Sequence, residues 1–135
     1  MNALYHAHSG LRYLVLLAAV VTIVVLGYGL GTGRRPRATR AVAASFTGLL
    51  DLQVLLGIGL AIGGMLTPRA TGHLVMMVLA VIVAHVTSVM ARRATDQRRE
   101  LTVRLAGVVL SLVLIVGGIM AIGRSVLGSL PASVG

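Results

Sequence analysis

Four long apolar runs, separated by short polar connections, set the pattern of the chain: Leu11 to Leu30, Ala41 to Leu66, Gly72 to Met90 and Leu105 to Ile122. Each is close to or above the ~20 residues that a helix needs to cross the hydrocarbon of a bilayer. The runs are continuously apolar, whereas the strands of a transmembrane barrel alternate in segments of about ten residues. The pattern therefore predicts an all-α, integral membrane four-helix bundle. It forms a single transmembrane domain over 1–135, with helices at about 6–30, 41–66, 71–92 and 103–126. MLTPRATG is expected to be the turn between the second and third helices, with Pro68 breaking the second.

The four runs leave almost no residues for a separate soluble domain. Of 135 residues 57% are hydrophobic and 11% charged, and the mean hydropathy is +0.98, beyond what a water-exposed surface tolerates. The lipid bilayer is thus the first expected partner. A net charge of +9 raises the question of nucleic acid, but the arginines form no binding face. Arg34, Arg35, Arg37 and Arg40 crowd the first connection and Arg92, Arg93, Arg98, Arg99 and Arg104 the third. Arg12, Arg69 and Arg124 are left for the other side. By the positive-inside rule the first and third connections are cytoplasmic and both termini lie outside, as in a multi-pass protein of a bacterial inner (cytoplasmic) membrane. MNALYHAHSG has no basic leader and no small-residue cleavage signal before its apolar stretch, so the first helix is expected to be retained. No nucleic-acid partner is expected.

The chain has no cysteine, which removes disulfides, iron–sulfur ligation, covalent haem attachment and thiolate metal sites. Any bound group must use other ligands, and the histidines draw attention because ionisable side chains are costly inside a membrane. His6, His8 and Arg12 occupy the outer end of the first helix. His8 and Arg12, spaced i, i+4, share a face while His6 points elsewhere, so only one of the two histidines can look into the bundle. His73 and His85 lie on the third helix, twelve residues apart, which is about 18 Å along the axis and roughly 120° around it. They need not address the same pocket.

With both termini outside, the first and third helices run in the same direction and their leading histidines come to one level. His8 and His73 can then supply the two axial imidazoles of a single b-type haem, with His6 as the alternative ligand. Arg12 and Arg69 stand at that level for its propionates, and Met77, one turn below His73, offers adaptable packing. For His85 the nearest polar candidates are Asp51 and Gln53 on the second helix, either as a structural polar clasp or as a proton relay. Gly57, Gly59, Gly63 and Gly64 permit close helix approach or admit the flat face of a macrocycle.

HAHSGLRYLVLL, then DLQVLLGIGLAI, then HLVMMVLAVIVAH followed by arginines resembles small four-helix bacterial membrane proteins described as cytochrome b-like. The resemblance covers the first three helices and is faint over the fourth. It implies haem b and electron transfer, and the histidine placement puts the one expected haem near the outer face between the first and third helices. Two other readings stand beside it. The chain can be a non-redox accessory or assembly subunit of a larger respiratory or other redox membrane complex, or of a homo-oligomer. Alternatively His6, His8 and His73 can bind copper or zinc at the outer face. No Ser-His-Asp set comes to one level, so an electron carrier or a subunit is expected rather than a stand-alone enzyme.

Overall fold

The computed structural model describes residues 2–123 and residue 126; Arg124 and most of the C-terminal tail lie outside the described residues. Four helices cover almost all of the described chain: α1, Asn2–Thr32; α2, Thr39–Leu60; α3, Pro68–Arg92; and α4, Gln97–Ala121. There is no strand among the described residues. All four helices are long and apolar enough to cross a membrane, and large apolar side chains such as Leu17, Val24, Leu55, Ile82 and Val113 point outward. Such a surface belongs in lipid. The protein is a multi-pass membrane four-helix bundle.

The connections follow from local chemistry. Gly33, at φ +68°, ends α1 in the left-handed conformation that glycine adopts without cost. The Thr39 hydroxyl donates to the Pro36 carbonyl at 2.7 Å as α2 starts. The last turn of α2 widens into a π turn over Ala61–Met65 and stops at Gly64, at φ +91°. Pro68 does not break α2, as its sequence position suggested. It opens α3, where its fixed φ and missing N–H suit the first helical position. Thr67 caps that end by accepting from the Ala70 N–H at 3.2 Å. Asp96 does the same for α4, accepting from the Arg99 N–H at 2.8 Å. Its cap explains why α4 begins at Gln97 rather than near 103.

The helices pack as a ring in chain order, with α4 closing against α1 and with α1 and α3 across the diagonal. The α3–α4 seam is the most extensive and the α2–α3 seam the least. Val15, Ala19, Phe46, Leu50, Met77, Ala80, Ala84, Val108 and Ile115 fill the centre. At the arginine-rich end, Glu100 ties α4 to the connection between α1 and α2. It accepts two hydrogen bonds from Arg35 at 3.0 Å and one from Arg104, a turn along α4, at 3.1 Å. The hydrogen bond from Arg35, which sits in the connection between α1 and α2, holds its guanidinium pKa above the ordinary value. Arg104, within α4, is buried against Glu100.

Candidate functional site

On α1 the spacing of His8, Arg12 and Val15 puts all three on one helix face, and on α3 His73 and Met77 share another. The two faces meet across the diagonal at the bundle end opposite the arginine-rich connections. Between them lies a cavity of about 330 Å³, whose lining includes His8, Arg12, Gln53, Arg69, His73 and Met77. That volume falls within the range of small-molecule sites. Its walls are apolar, from Val15, Leu50, Val54, Ile115 and Ile119. The rings of His8 and His73 meet there in a T-shaped contact, with centroids 6.3 Å apart and planes at 90°.

Each imidazole sits on a neighbouring helix where a glycine leaves space. The Nδ1 of His8 lies 3.1 Å from the Gln53 backbone carbonyl, so that nitrogen is the donor and Nε2 carries the lone pair. The Gln53 amide donates to the His8 backbone carbonyl at 2.8 Å and lies 3.4 Å from the His8 Nε2. A Cβ on Gly57 would come within 3.2 Å of the His8 Cε1. His73 presses its Nδ1 against Gly118, where a Cβ would lie 3.3 Å away. That Nδ1 and the Oε1 of Gln53 are buried without a hydrogen bond of good geometry among the described residues. Both groups line the cavity, and buried polar atoms of this kind call for an explanation.

The remaining candidates take distinct places. Arg12 is buried, donating to the Tyr13 hydroxyl at 2.7 Å with its guanidinium 4.7 Å above the Tyr13 ring. Arg69 stands exposed at the cavity rim, and Met77 is buried in the wall. His6 is exposed and meets Tyr5 edge-on, so His8 is the histidine that faces the bundle. The described residues hold no group of three or more histidines and carboxylates able to bind a metal ion. His6 stands apart from His8 and His73, beside Tyr5.

His85 and Asp51 pair as a separate unit, with His85 Nε2 at 2.9 and 3.0 Å from the two carboxylate oxygens. Gln53 is not its partner. Two residues further along α2, Gln53 points to the other side of that helix and serves His8. The pair is on the outside of the bundle, with side chains 55% and 37% exposed. The link between Gln53 and His8 was missed in the sequence, although Gln53 and Gly57 at i, i+4 mark one α2 face with a polar handle and room for a ring. Gly59 is filled by Leu4 of α1, where a Cβ would sit 3.3 Å from its Cδ2.

Comparison with known protein families, with curated proteins and with solved structures finds no match to this chain.

Proposed function

We propose that the protein is a membrane-embedded electron carrier that holds one b-type haem between His8 and His73. The observation that carries this reading is the separation of the two rings. The two imidazoles are near enough to one another that a single haem iron could be held between them. Their centroids lie 6.3 Å apart, and two imidazoles without a third donor would suit a macrocycle that already supplies four nitrogens. The residues fit the group.

A bound haem supplies reversible one-electron chemistry; the chain supplies its surroundings. His8 and His73 offer Nε2 as ligands, and the Gln53 carbonyl fixes the orientation of His8, as outer partners of ligating histidines commonly do. The apolar walls exclude water. Arg12 and Arg69, which line the cavity, would offer positive charge to the propionates. Gly57 and Gly118 let the rings settle against helix backbones. On the positive-inside rule the arginine-rich connections lie in the cytoplasm of a bacterial cell and both termini outside, so the cavity opens to the outer face. A carrier needs a donor and an acceptor, and a larger redox membrane complex would provide both.

The test is an absorption spectrum of protein purified in detergent from a haem-replete host, oxidised and then dithionite-reduced, beside His73→Ala. The expected result is a sharp reduced α-band of a six-coordinate b haem, lost or converted to high spin in the variant. A folded protein without a Soret band would overturn the cytochrome reading and leave the non-redox accessory subunit.

A further inference from the structure

The second feature of the bundle lies on the α2–α3 seam. Here α2 and α3 separate to leave a groove of about 650 Å³. Its mouth carries Arg40 of α2 and Arg92 of α3; Thr47 and Ser88 line it further in, and Asp51 and His85 lie at its inner end. Arg40 is eleven residues from Asp51, and Arg92 seven from His85, or about 16 and 10 Å along the helices. The polar surface thus runs continuously from the arginine-rich end toward the middle of the membrane. Ala44 and Gly48, one turn apart on α2, keep it open.

An aspartate and a histidine exposed at that depth are tolerated when they face water or protein rather than acyl chains. We propose that the groove is a water-filled vestibule open to the arginine-rich side, and that Asp51 and His85 exchange protons with the water of that side. A lipid tail would leave the pair unsolvated. A second copy of the same face would set Arg40 and Arg92 against their own equivalents across a two-fold axis. The charged groups facing the pair along the groove are Arg40 of α2, Arg92 of α3 and Arg104 of α4, the last also bound to Glu100; α1 does not line it. In the exchange, a hydronium ion gives its proton to the pair and becomes water, and release is the reverse. The proposal uses neither the cavity nor any group bound there, so it stands or falls apart from the electron-carrier reading.

The chain has no cysteine, so single cysteines can be introduced without removing others. Gly48→Cys and Ser88→Cys report the groove. Gly48 has open space where a Cβ would be. Val86→Cys reports the lipid face and Arg98→Cys the arginine-rich side. A charged, membrane-impermeant thiosulfonate is applied to everted and to right-side-out vesicles. Only a thiolate reacts, which requires water at the site, so the groove cysteines should label about tenfold faster than Val86→Cys or more. They should do so from the side that labels Arg98→Cys. Labelling only by a membrane-permeant reagent, or only from the opposite side, would overturn the vestibule. For the exchange itself, a carboxyl infrared band that responds when pH is changed on the arginine-rich side alone, and is absent in Asp51→Asn, is expected. A band indifferent to that side would overturn the proton role.

Discussion

The two seams of α3 are built on opposite principles. Toward α4, the helix presents Ala80, Ala84, Thr87 and Ala91, a stripe of small residues at helical spacing, of which the alanines are buried. It meets Gly107, Ser111 and Gly118, all buried on α4. The two backbones come so close that a Cβ on Gly107 would overlap the Thr87 side chain. Toward α2, the same helix shows a groove and a histidine reaching across to a carboxylate. Within a membrane there is little hydrophobic force between helices, so small residues that permit close van der Waals contact decide which seams close. The open seam is where polar chemistry survives.

Filling the closed seam should produce the largest effect. In Gly107→Ala the new methyl meets the Thr87 Cβ and hydroxyl, and neither is the free end of a flexible side chain. A loss of about 2–3 kcal/mol is expected, read by thermal unfolding in detergent, with partial recovery on adding Thr87→Gly. No loss would mean that the seam gives easily and that the contrast with the α2 side is overstated. A smaller effect is expected from Ser111→Ala. Ser111 is fully buried and donates to the Ala80 carbonyl at 3.1 Å, a bond worth about 1 kcal/mol. The Ala80 carbonyl keeps its bond within α3, so the same unfolding measurement should show about that and no more.

The four spans could be read from hydropathy because lipid allows only helices or closed barrels, and these runs do not alternate. Helix ends were less legible. Pro68 reads as the stop of one helix as readily as the start of the next, and only the backbone geometry decides. The level shared by His8 and His73 followed from topology, but the inward choice of His8 over His6 depends on the rotation of α1, which no local pattern fixes. Asp51 and Gln53 both stood as partners for His85, and the rotation of α2 decides between them. The exposure of Asp51 was not legible, because periodicity reports which residues share a face and not which seam stays open.

The finest test concerns that open seam. If α2 and α3 are held apart by their packing and only bridged by Asp51 and His85, the bridge should add little to stability. Interhelical polar pairs in membranes average about 0.6 kcal/mol in double-mutant cycles, and partial exposure reduces an ion pair's worth further. Asp51→Ala, His85→Ala and the double variant, unfolded side by side, should therefore give a coupling near or below that value, several-fold smaller than the cost of Gly107→Ala. A coupling of about 2 kcal/mol or more would exceed the usual range for such pairs. It would mean that the pair clamps α2 to α3, and that the groove is a by-product of the clamp. A weak coupling would leave the pair without a structural reason to be there, and chemistry would have to supply one.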